Sequence, residues 1–150
     1  MPWSEPQRDE KGHVVPHDHP EIQNEDGLIR RIPIHWVVRD DKSPTGKRLS
    51  SEAFEMSSPE QGGGMSVDIE KLIVEAGKDV AAHVTPHPWV GAIRVTAGLL
   101  RSYNLQVGYS PLPDNPYHGE AWGPLSRKTS GKIRLQSSWV VEIEGCSLEA

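Results

Sequence analysis

The chain has 150 residues, 35% of them hydrophobic, a net charge of −5 and a single cysteine. That length makes one domain able to bury a core, and one cysteine excludes an internal disulfide framework. No apolar run approaches the roughly 20 residues of a membrane helix, and no basic stripe marks a nucleic-acid partner, so neither a membrane nor a nucleic acid is expected.

Residues 1–27 hold seven acids against Arg8 and Lys11, which accounts for the whole net charge. The remainder balances fourteen acids with fourteen Lys and Arg. The segment is polar, broken by Pro2, Pro6, Pro16 and Pro20, and has no hydrophobic period. It predicts a disordered acidic tail before a single domain over 28–150. Its start, MPWSEPQRDE, has neither the basic nor the apolar run of a signal peptide, and with the lone thiol this predicts a cytoplasmic protein. His13, His17 and His19 are metal-competent side chains, but a flexible tail is a weak frame for zinc. No metal and no cofactor are predicted.

Leu28 to Arg39, LIRRIPIHWVVR, alternates Ile32, Ile34, Trp36 and Val38 with more polar positions, the signature of a strand with one buried face. Pro33 cannot donate to a ladder, so the strand is expected at an edge or at the start of pairing. His35 and Arg39 share its polar face. DDKSPTG, residues 40–46, is a turn. Ser50 then predicts the cap of a short helical turn, with Phe54 anchored in the core. SSPEQGGG, residues 57–64, reads as a glycine-rich loop without the spacing of a phosphate cradle.

Ser66 to Gly77 predicts the clearest helix. Ser66 is its N-cap, Asp68 and Glu70 complement the dipole, and Gly77 follows its last turn. His83 and His87 are four apart, but Pro86 and Pro88 argue against one helix carrying both, and no HExxH motif is present. Gly91–Val95 predicts a strand, Thr96 caps a helix over 97–103, and 106–109 returns as a strand. PLPDNPYHGEAWG, residues 111–123, is a proline-fixed turn that delivers His118 to a strand over 118–122. Lys132 to Ile143 reads as a last strand. The succession predicts an α+β domain with a small mixed or antiparallel sheet and two short helices.

Three segments, LSSEAF at 49–54, MSVD at 65–68 and PLPDNPYH at 111–118, occur in an order that resembles a family of small bacterial proteins with Ser-Ser-x-Ala-Phe, Met-Ser-Val-Asp and Asn-Pro-x-His motifs. The resemblance spans about residues 28–123. It implies the domain boundaries and no particular activity.

Two functions stand side by side. In the first, the polar residues are caps and turn fasteners, and Trp36, Trp89 and Trp122 form a face for a protein partner, since Trp is enriched in binding hot spots. In the second, the chain is a small enzyme acting on a phosphate- or nucleotide-containing substrate. Its catalytic residues would be His35, Ser50, Ser51 and His118, because imidazole titrates near neutrality and a serine hydroxyl can serve as a nucleophile. Arg39, Asp68, Arg94 and Asn115 would bind substrate. The second reading requires His35, the 50–51 serines and His118 to meet in one pocket.

Overall fold

The computed structural model describes residues 3–56 and 63–149. Strand β1, Gly27–Pro33, lies inside a six-stranded antiparallel sheet rather than at its edge. Pro33 is its last residue, where the missing N–H costs no central ladder bond. The chain then leaves the sheet through a 3-10 turn at Ile34–Trp36, and the hairpin β2 (Val37–Arg39) with β3 (Lys47–Leu49) stands apart as its own two-stranded sheet. The single strand predicted over 28–39 is therefore split. Ile34, expected inside, is 61% exposed.

Ser50 caps a second 3-10 turn, Ser51–Phe54, by accepting from the Glu52 N–H, and Phe54 is fully buried, as the sequence predicts. Most of the glycine-rich loop falls at 57–62, outside the described residues. Next comes β4, Met65–Ile69, where a helix start was expected. Val67 and Ile69 fit a helical stripe, but with Met65 they also alternate with Ser66 and Asp68. Pairing with both neighbours decides in favour of the strand: β4 lies against β1 on one side and against β7 (His118–Trp122) on the other. Helix α1 begins only at Glu70 and runs to Glu75, with Gly77 at φ +72° just past its end.

Helix α2 spans Val80–Val84 and carries His83, while His87 lies beyond its end. Strand β5, Trp89–Thr96, pairs along β1, and Thr96 caps α3, Ala97–Ser102, through the Leu99 N–H. β6, Gln106–Tyr109, returns to the far edge of the sheet. The expected final strand over 132–143 is replaced by helix α4, Arg127–Leu135, capped by Ser126, followed by β8, Ser138–Val141. Helical spacing turns Ser130, Ile133 and Arg134 inward, and Ser130 Oγ donates to the Phe54 carbonyl at 2.9 Å. The architecture is thus α+β with eight strands and four α-helices among the described residues, two more helices than the sequence reading. The sheet order is β6-β7-β4-β1-β5-β8. No helix of the described residues is long and apolar enough to cross a membrane.

The acidic segment expected to be disordered is ordered over residues 3–26 and lies along the outer edge of β6. Ile22 and Val14 are buried. The Val107 N–H donates to Asp18 Oδ1 at 3.0 Å, and the His19 N–H donates to the Val107 carbonyl at 2.8 Å. The Tyr109 N–H donates to His17 Nε2 at 3.0 Å. An edge strand otherwise presents such groups to any passing strand. Gly108 makes room for this contact, because a Cβ there would lie 2.6 Å from His17 Nε2. Composition misled because the segment is held mainly by side chains bonded to main chain, which hydrophobic periodicity does not register.

His17 donates from Nδ1 to the Val15 carbonyl and accepts at Nε2, while His19 accepts the Glu21 N–H at Nδ1 and stacks on Trp3. Both rings are neutral in this arrangement. Burial, and then the neighbouring His17, push the His19 imidazole below its ordinary range, against a smaller upward pull from Glu21 and Asp18. A histidine kept neutral by folding contributes stability that is full above its unfolded value of about 6.5 and is lost as the pH falls through that value toward the lower folded one. Acidification from about pH 7.5 to about pH 5 is therefore expected to loosen this segment. The protection factor of the Val107 amide, corrected for the slower intrinsic exchange at low pH, should fall while protection factors in β1 change little. An equal protection factor for Val107 at the two pH values would contradict the assignment.

Candidate functional site

The polar centre of the sheet is Asp68 on β4, buried to 2% exposure. Its carboxylate accepts a two-pronged bond from Arg31, Nε to Oδ2 at 2.8 Å and Nη2 to Oδ1 at 3.1 Å. Asn115 Nδ2 donates to Oδ1 at 2.6 Å. Asn115 Oδ1 accepts in turn from His83 Nε2 at 3.1 Å and from the Tyr117 N–H at 3.3 Å. These bonds fix the amide orientation and place the His83 proton on Nε2. One carboxylate thereby ties together β1, β4, α2 and the proline turn. Asp68 is not the dipole partner of a helix start, and Ser66 is a strand residue rather than an N-cap.

His118 opens β7 as the register partner of Asp68. Cross-strand partners share a face, so the two side chains lie on the same side of the sheet. His118 Nδ1 is 2.6 Å from the Ser110 carbonyl. A carbonyl can only accept, so Nδ1 carries the proton. Nε2 is then the lone-pair nitrogen of the neutral ring and has no partner among the described residues.

The register of β1 with β4 covers Leu28–Ile69 and Ile29–Asp68, after which β1 turns away toward Pro33. A cleft of about 520 Å³ opens where the strands part. Its inner lining includes Arg30, Arg31, Ser66, Asp68, Asn115 and His118, and Trp36, Trp89, Met56 and Leu112 supply apolar walls. Arg30 spans the opening: Nη1 donates to the Ser66 carbonyl at 2.8 Å and Nε to the Ala53 carbonyl at 2.6 Å. Its guanidinium also lies 5.0 Å from the centre of the Trp36 ring.

Arg30 is 9% exposed and, among the described residues, has no carboxylate within ion-pair reach. Burial lowers its pKa to about 10, so the group is still charged at neutral pH. Burying an ion without a counter-ion costs several kcal/mol, which two carbonyls and an aromatic face offset only in part. An anion entering the cleft would complete the compensation.

Of the residues singled out from sequence, His118, Asp68 and Asn115 line this cleft, and Trp36 and Trp89 join them. His35 is exposed and rests edge-on against the Trp36 ring. Ser50 serves as a cap, and Ser51 Oγ accepts from Arg134 Nη1 at 3.2 Å. Arg39 is exposed on the β2–β3 hairpin. Arg94 pairs with Glu70 at 2.9 Å, and none of these five residues lines the cleft. Trp122 is 6% exposed beneath His17, not a surface anchor. Sequence reasoning passed over Arg30 and Arg31, and weighed His83 only as half of a metal-ligand pair with His87. The available signal was the pair of arginines inside the otherwise apolar run LIRRIPI. Among the described residues, no group of three or more His, Cys, Asp and Glu side chains is arranged to hold a metal ion.

Replacing Asp68 by Ala would leave Arg31 and Asn115 without their acceptor. Breaking a buried pair of this kind costs about 3–5 kcal/mol. Urea unfolding of Asp68→Ala is expected to show that loss, and a change below about 1 kcal/mol would remove Asp68 from its central position.

No family model matches the chain, and neither a curated protein nor a solved structure matches it.

Proposed function

We propose that the cleft between β1 and β4 is a small-molecule site, in which Arg30 anchors an anionic group and His118 Nε2 exchanges a proton with the bound ligand. The observation that carries this reading is the buried guanidinium of Arg30, which among the described residues lacks a counter-ion and opens on the same cleft as the His118 Nε2, itself without a partner among those residues. Each part has a physical role. The Ser110 carbonyl holds the tautomer of His118, so Nε2 is always the nitrogen offered to a substrate. Arg30 is pre-oriented by its two carbonyl acceptors, so little rotamer entropy remains to be lost on binding. Asp68, Arg31 and Asn115 are already saturated with one another and act as a rigid floor.

The reaction class that fits is hydrolysis or transfer at a monoanionic ester, with His118 as general base toward water and then as acid toward the leaving group. A phosphodiester or a nucleotide-derived ester belongs to this class. The expected signature is turnover in a panel of para-nitrophenyl phosphodiesters and carboxylic esters. His118→Ala should lower kcat by about 10²–10⁴-fold, the usual worth of a positioned acid–base group. His35→Ala should stay within about twofold of the parent, because the exposed ring lies outside the cleft. Equal rates in His118→Ala and the parent, or no turnover across the panel, would end the catalytic reading.

A second reading keeps the cleft and changes the occupant. Trp36 and Trp89 line it, and Leu112, 43% exposed, extends its apolar wall toward solvent. A protein partner could seat a side chain or a chain end there. Such a partner would be released by Trp89→Ala and unaffected by His118→Ala, which separates the two readings in a pull-down with the full chain.

A further inference from the structure

The charges of the cleft are ordered from floor to mouth. Innermost by burial is the guanidinium of Arg30, which has no counter-ion among the described residues. At the mouth are Glu52, Glu55 and Asp114, all exposed. None of the three forms an ion pair among the described residues. Arg31 and Asp68 neutralise each other in between. The walls between are apolar, with Trp36, Trp89 and Met56. Resting on the reading of the cleft as a small-molecule site, we infer that its ligand is a zwitterion: an anionic group for Arg30, an apolar or aromatic middle, and a cationic group at the acidic mouth.

The reasons are electrostatic. A single buried cation is matched by a single anionic charge. A polyanion such as a nucleoside phosphate would have to pass three carboxylates that repel it, with only one guanidinium in return. An ammonium at the mouth meets a negative potential from these carboxylates and can also rest on the Trp89 indole, a favourable placement for a cation. The inference narrows the substrate class to phosphodiesters that carry an amine and to esters that also bear one free carboxylate and one amine.

Calorimetric titration of the full chain tests this with three matched probes that share one benzene ring and a fourth that is a nucleotide. They are para-(aminomethyl)benzoate as zwitterion, para-toluate as anion alone, para-methylbenzylamine as cation alone, and adenosine monophosphate as the multiply charged anion. The zwitterion is expected to bind at least about tenfold more tightly than each of the other three, a difference of about 1.4 kcal/mol. The exposed triple variant E52Q/E55Q/D114N should bring the zwitterion and para-toluate to equal affinity. Arg30→Met should do the same for the zwitterion and para-methylbenzylamine. Because Arg30 is buried, circular dichroism must first show that its variant is folded; if it is not, the triple variant decides alone.

Para-toluate or adenosine monophosphate binding as tightly as the zwitterion would overturn the inference. So would a triple variant that leaves the order of affinities unchanged, or the absence of binding by every probe. The acid–base reading of His118 is judged separately by the ester panel, so the ligand class can fail while that reading stands.

Discussion

The carboxylate of Asp68 is the constraint on which the rest of the molecule depends. It is buried at the centre of the sheet, and it is tolerable there only because its oxygens are met by Arg31 and Asn115. That requirement fixes four otherwise independent parts. Arg31 sets the rotation of β1, Asn115 sets the proline turn, His83 ties α2 to that turn, and β7 is brought into register with β4 so that His118 stands opposite Asp68. A hydrophobic residue at 68 could fill the space. It would give neither the turn nor α2 a reason to stop where they do.

The cleft follows from the same residue. β1 stays with β4 as far as Ile29 and Asp68, then diverges because Pro33 and the 3-10 turn behind it draw the chain away. Two consecutive arginines stand at the divergence, and both line the cleft. Arg31 turns to the carboxylate and is neutralised. Arg30 reaches main-chain carbonyls and an indole, which receive it without cancelling its charge. A two-residue repeat thus supplies one structural cation and one available cation.

The sequence was most legible where local chemistry acts alone. Ser50 and Thr96 cap the turns their positions suggest, Gly77 follows its helix, Phe54 is buried, and the strands at 106–109 and 118–122 lie where alternation put them. It was least legible where one pattern satisfies two periods. Val67 and Ile69 suit a helix or a strand, and pairing with β1 and β7 settles the matter in a way no local window contains. The 132–143 segment is a similar case, since the consecutive residues Ile133 and Arg134 are both inward only because the chain is helical there. Of the site, His118, Asp68 and Asn115 could be suspected as polar residues in rigid settings. The role of Arg30 could not, because its meaning lies in which arginine of the pair finds the carboxylate.

The covering of β6 by residues 17–19 bears on how the protein keeps to itself. A six-stranded antiparallel sheet has two ends, and an uncovered end is a template on which another copy can lengthen the sheet. Here one end is closed by an aspartate, an imidazole and one peptide group, none of which can itself be extended as a strand ladder. The acidic segment therefore blocks lateral growth at the β6 end, and its negative charge adds repulsion between copies there.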